Sequence, residues 1–116
     1  MNGLWSISKT RSRRLVPILG NLKAWLQPIA KTNGPVAERN LRKRHLEARA
    51  RAGIQDWPAN AMRHSFVSYR LAQTQNASQT ALESGHDQAI LFAHYRELVK
   101  PVEAKKYWEI SPNLAD

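Results

Sequence analysis

AMRHSFVSYR, residues 61–70, places Arg63 and His64 side by side in a segment whose Met62, Phe66 and Leu71 recur at helical spacing. If those apolar side chains face a core, the two polar ones lie at or beside the edge of the buried stripe, where a solvated charge is ordinarily set further round. Arg63 then either lays its stem along the apolar edge or aims its guanidinium at an anion, whose oxygens its paired N–H donors fit. Two more chemistry-bearing residues follow at regular remove. His86, in Ser84-Gly85-His86, comes 23 positions after Arg63, and Tyr95, in Ala93-His94-Tyr95, comes 9 positions after His86.

The charge of the chain agrees with an anionic partner. Eighteen Lys and Arg stand against nine Asp and Glu, a net +9, and the excess is uneven. Residues 1–53 hold 12 basic and 2 acidic side chains, whereas residues 54–116 hold 6 and 7. A field concentrated in this way attracts polyanions, of which nucleic acid is the commonest large one in a cell; a plain solvated surface or a membrane-surface patch are the other readings of the same charge. With 116 residues, 42% of them hydrophobic, the chain suffices for one domain with one core. The absence of cysteine excludes disulfides and thiolate metal sites. Apolar runs are only a few residues long and MNGLWSISK lacks the apolar stretch of a secretory signal, so a cytoplasmic protein without a membrane span is expected. No cofactor and no metal ligand set is implied.

The elements that must carry Arg63, His86 and Tyr95 are short helices. LWSIS alternates apolar and polar residues, KTRSRR is a charged turn-like run and LVPI returns to apolar ones, which predicts a β-hairpin with a basic tip over about residues 4–18. Leu19, Leu22, Trp25, Leu26 and Ile29 have helical spacing, and Pro28 with KTNGP ends that helix. Pro35 suits the first turn of a long basic helix closed by Gly53. Asp56 and Pro58 open the Arg63 helix, which runs to about Gln73. Asn76 caps a helix that Gly85 ends, Asp87 caps QAILFAHYREL, and Pro101 starts a tail helix over about 101–110. The predicted class is mainly α with one small N-terminal hairpin.

MRHSF, SGH and AHY, with their 23 and 9 spacing, resemble the second half of the catalytic domain of the tyrosine recombinase, or phage integrase, family, in which an RH[ST]F helix precedes LGH and a nucleophilic tyrosine. EAKKYWEISP resembles the tails of some phage-type members, and SKTRSRRLVPI resembles the family's β-hairpin with its catalytic lysine. The resemblance covers nearly the whole chain and implies the fold of the DNA breaking-rejoining enzymes. It implies a cytoplasmic, DNA-associated protein of bacterial or phage origin that cuts and rejoins double-stranded DNA through a phosphotyrosine link.

On that resemblance Tyr95 is the nucleophile, because a phenolate retains the phosphodiester energy in a covalent link. Arg63 clamps the nonbridging oxygens, where charge gathers, and His86 donates to the same phosphate or assists proton transfer. Lys9 matches the lysine that protonates the leaving 5′ oxygen. Arg11, Arg13 and Arg14 on the hairpin, Arg42, Lys43 and Arg44 on the basic helix, and His64 beside Arg63 are the expected DNA contacts or supports. Asn60 takes the first position of the family's HxxR motif, usually His or Lys; an amide hydrogen-bonds a phosphate but is no base near neutrality. The family's first catalytic arginine lies upstream of the hairpin and matches no position here, so a truncated catalytic domain that cleaves little by itself is expected. ALESGHDQAILFAHYREL also has the Ala-x-x-x-Gly spacing of a helix-turn-helix, so a non-catalytic DNA-binding protein is the alternative, and charge alone also suits an RNA-binding protein. Val102, Tyr107, Trp108 and Ile110 form an apolar set on the tail that needs covering, either by its own chain or, through self-association, by a neighbouring subunit.

Overall fold

Helices dominate the computed structural model, which describes residues 4–7, 13–95 and 98–112, with side chains from Arg14 onward. Leu4–Ile7 (β1) and Arg13–Val16 (β2) are short strands that pair antiparallel, Leu4 facing Val16 and Ile7 facing Arg13. Among the described residues six helices follow: Gly20–Leu26 (α1), Leu41–Ala52 (α2), Ala61–Thr74 (α3), Ala77–Ser84 (α4), Gln88–Tyr95 (α5) and Pro101–Trp108 (α6). A 3-10 turn, Gln27–Ile29, extends α1.

The capping residues act as their types dictate. Asn76 Oδ1 accepts the Gln79 N–H at 3.0 Å and so opens α4, and Asp87 Oδ1 accepts the Ala89 N–H at 2.8 Å and so opens α5. Gly53 and Gly85 end α2 and α4 in the left-handed region, at φ 71° and 75°. At α6 the Lys100 N–H donates to Glu103 Oε2 at 3.3 Å, and the helix stops at Trp108, two residues short of the expected end.

The basic helix begins at Leu41 rather than at Pro35. Val36 is fully exposed, so a turn over residues 35–40 buries nothing that offsets the entropy of ordering it. Likewise α3 begins at Ala61, not Asp56. Asn60 precedes it with φ 58°, in the left-handed region, which asparagine enters more readily than most residues.

The core is small and centres on α3. Val67, Ala81, Leu91 and Tyr95 are buried together, with Phe66, Leu71 and Ala77 packed against them. Met62, expected on the buried face, is 63% exposed. The inward face of α3 instead runs through Val67 and Arg70, and Arg63 lies four residues before Val67 on that same line. Arg63 thus stands at the exposed end of the line that the buried stripe follows, with its guanidinium tied across to α4.

Two sets of contacts hold the helices around α3. Arg70 forks onto Glu83 of α4, Nε to Oε2 at 2.9 Å and Nη2 to Oε1 at 2.8 Å, with both side chains buried. Burial by itself would raise the Glu83 pKa; the Arg70 hydrogen bonds and charge, with Gln79 donating as well, outweigh it and hold the carboxyl below its usual value. On the other side α6 lies along α3 of its own chain. Tyr107 stacks on Tyr69 at 4.0 Å, Trp108 meets Phe66 edge-on at 6.0 Å, and Trp108 Nε1 donates to the Tyr69 carbonyl at 3.1 Å. Trp25 of α1 closes the set by donating from Nε1 to the Ile110 carbonyl at 3.2 Å. Burial, and then Tyr69 beside it, push the Tyr107 phenol up from its ordinary pKa. Among the described residues no helix is long and apolar enough to cross a membrane.

Candidate functional site

The site forms where the start of α3, the end of α4 and the end of α5 meet. At the end of α4 the left-handed Gly85 turns the chain so that its own N–H and that of His86 both bond the Ala81 carbonyl, at 2.8 and 3.1 Å. This turn aims three groups. Arg63 Nη2 donates to the Ser84 carbonyl at 3.1 Å, tying the guanidinium to the turn. The Ser84 hydroxyl donates to the Thr80 carbonyl at 2.8 Å, leaving its oxygen lone pairs to face His86 Nδ1 at 3.0 Å. With the hydroxyl proton so engaged, His86 is the donor to Ser84, which places its proton on Nδ1 and leaves Nε2 as the free nitrogen.

Tyr95 is buried by its ring in the core, while its hydroxyl is hydrogen-bonded to Nδ1 of His64. The His64 ring lies 5.8 Å from that of Tyr95 in a stacked arrangement, and the His86 ring lies 5.9 Å from it, edge-on. The three rings, with Ser68, Ile90, His94 and Leu98, line an open concavity of about 490 Å³. Burial lowers the His86 pKa first, and the electrostatic influence of neighbouring Arg63, His64 and Arg14 lowers it further, so the imidazole is neutral near pH 7. A lone pair on each histidine and a phenol beside them can move a proton off the hydroxyl, and the guanidinium at the same turn can hold an anion while this happens.

Of the residues singled out in the sequence, Arg63, His86 and Tyr95 are thus gathered around one turn, Arg63 and His86 through Ser84 and His86 and Tyr95 through their rings. His64 was read there only as a support; its contact with the Tyr95 hydroxyl has no signal in spacing, because it depends on how α5 lies across α3. Arg14 reaches the same place from β2, where its guanidinium packs on Gly85 so closely that any Cβ there would strike it. Asn60 makes no side-chain cap to α3 and lines a second concavity, about 590 Å³, with Arg42, Trp57 and Arg63 between α2 and α3. Arg42 and Lys43 are exposed on α2. Arg44 is turned to carboxylates, 3.2 Å from Glu38 and 3.9 Å from Glu47. Lys9 and Arg11 lie outside the described residues, as does the side chain of Arg13. Among the described residues no group of three or more His, Asp or Glu is placed to hold a metal ion.

Set against protein-family models, curated proteins and solved structures, the chain finds no match in any of the three.

Proposed function

We propose that this chain binds duplex DNA and cuts and rejoins one strand through Tyr95, as a tyrosine recombinase catalytic domain does. The observation that carries the reading is the convergence of Arg63, His64, His86 and the Tyr95 hydroxyl on the turn at Gly85. In the proposed step Tyr95 Oη attacks the phosphorus of a phosphodiester and its proton passes to His64 Nδ1. The bond to the 5′ oxygen breaks, that oxygen leaves as a hydroxyl, and the strand's 3′ phosphate stays on the tyrosine. Arg63 holds the nonbridging oxygens as charge builds on them. By the resemblance, Lys9 supplies the proton that the leaving oxygen takes up. The reverse sequence, with a 5′ hydroxyl as nucleophile, rejoins a strand.

The helix-turn-helix alternative has less support. Such a motif reads base edges with polar side chains of its second helix, and the exposed face of α5 mixes the apolar Ile90 and Phe92 with the polar Gln88 and His94.

The test is covalency. Incubated with a pool of nicked duplexes and denatured, the protein is expected to yield a DNA adduct whose tryptic peptide carries the nucleotide on Tyr95, and Tyr95→Phe is expected to yield none. Accumulation is expected to be slow, because Asn60 stands where a His or Lys serves in the family. Salt-sensitive DNA binding with no Tyr95 adduct after exhaustive incubation would overturn strand transfer and leave reversible binding in its place.

A further inference from the structure

The strand β2 brings to the site a cation that the tyrosine chemistry above leaves without a task. Arg14 Nε is buried with no hydrogen-bond partner, and among the described residues no carboxylate pairs with the Arg14 guanidinium. Arg63 also has no carboxylate partner among the described residues, one of its donors being engaged by the Ser84 carbonyl. Glu83, one residue before Ser84, is already held in the fork of Arg70. The turn at Gly85 is consequently flanked by two guanidiniums whose charge nothing described neutralises, one from β2 and one from α3, and both act electrostatically on His86.

Uncompensated like charges at one place are unfavourable unless an anion joins them. Gly85 makes the approach possible: the guanidinium rests against the space a Cβ would fill, and the φ of 75° is one few other residues adopt. Backbone and side chains at the turn thus form a seat for a cation whose donors are not used up.

We propose that Arg14 and Arg63 form a two-armed cradle for one tetrahedral phosphate at the Gly85–His86 turn, with Arg14 as the second arm. It rests on reading the site as a phosphoryl-transfer centre, and it adds a binding residue from a different element. A phosphodiester has two nonbridging oxygens, and two guanidiniums offer enough N–H donors to meet both, so that neither oxygen depends on Arg63 alone. Neutral His86, with Nε2 free, follows Gly85 at the same turn and becomes a third donor when it is protonated in the presence of the anion.

Inorganic phosphate is the probe, titrated into the full-length chain while the His86 imidazole resonances are followed by NMR. Saturable binding that shifts His86 is expected for the unaltered protein. Arg14→Ala and Arg63→Ala are each expected to weaken it about tenfold, and Arg14→Lys to weaken it less, since an ammonium keeps the charge and loses the fork. Arg14→Gln gives the same comparison with a longer stem should Arg14→Ala not fold, and a retained amide spectrum certifies each variant. An affinity unchanged in the neutral Arg14 variants but reduced in Arg63→Ala overturns the second arm while the phosphate site at Arg63 stands. Affinity unchanged in both, or no saturable shift at tens of millimolar phosphate, overturns the cradle and the phosphoryl-transfer reading together. The expected losses without any Tyr95 adduct leave the cradle standing and remove strand transfer.

Discussion

His86 is a donor to Ser84 through Nδ1 and, with its pKa held down by burial and by Arg63, His64 and Arg14, it carries no proton on Nε2 near neutrality. A phosphate beside it reverses the balance, since the anion favours the charged imidazolium that the two guanidiniums oppose. The sign follows from this. The free protein takes up the His86 proton below its ordinary 6.5, the complex takes it up at higher pH, and the complex therefore binds more protons in the window between. Phosphate or DNA affinity is expected to rise as pH falls through that window and to be flatter in His86→Gln, whose side chain does not titrate there. Binding isotherms in two buffers of different ionisation enthalpy measure the proton uptake directly; none in the unaltered protein would contradict the protonation step.

Among the elements, α3 and α4 matter most, because the turn that carries Ser84, Gly85 and His86 is the end of α4. The Arg70–Glu83 fork locks that helix to α3 one residue before the turn. Glu83→Ala would strand a buried guanidinium, and the expected cost is about 3–5 kcal/mol, read by chemical denaturation. Acid should have a related effect. Glu83 has a folded pKa below its ordinary 4.5, so its contribution is present above that value and is lost as pH falls through the lower folded one, and Glu83→Gln should flatten this loss. The helix boundaries around the turn were legible from Asn76, Gly85 and Asp87, whose side chains or backbone act on their own neighbours. The fork was not, since Arg70 and Glu83 are thirteen residues apart and either side chain suits a solvated helix face equally well.

Over the whole molecule the radius of gyration is 15.6 Å, against about 13 Å for a compact domain of this length. Large apolar side chains remain exposed on β2 and several helical segments, among them Leu15, Ile29, Leu82 and Ile90, in keeping with a core of few residues. The basic excess of residues 1–53 is carried on β2, α1, α2 and their connections, and the exposed Arg42 and Lys43 of α2 are free of the carboxylates that engage Arg44. Duplex DNA binding by such a surface is governed by counterion release: neutralising about five phosphates predicts a fall in affinity of roughly 10²–10³ between about 50 and 200 mM salt. Fluorescence anisotropy across that range tests it, with Arg63→Ala expected to reduce the slope by about one phosphate. Equal affinities at the two salt concentrations would remove the charge argument.

What the sequence determined by itself was local or additive. Side-chain caps and left-handed glycines depend on a few neighbouring residues, and net charge depends on none of their positions, so the helical class, the ends of α4 and the start of α5 and the basic first half could all be read along the chain, whereas the proline starts at Pro35 and Pro58 could not. Only the tertiary structure decided which face of each helix turned inward. A helix with Phe66, Val67, Leu71 and Ala72 tolerates several choices of inward face, and the packing of α4, α5 and α6 selected the one through Val67 and Arg70, leaving Met62 outside and turning the exposed Arg63 toward the end of α4. That choice also set His64 against the Tyr95 hydroxyl and Arg14 against Gly85, contacts between residues 31 and 71 positions apart. Their physical basis is the fit of side chains from different elements into one volume, which no periodicity along a single segment records.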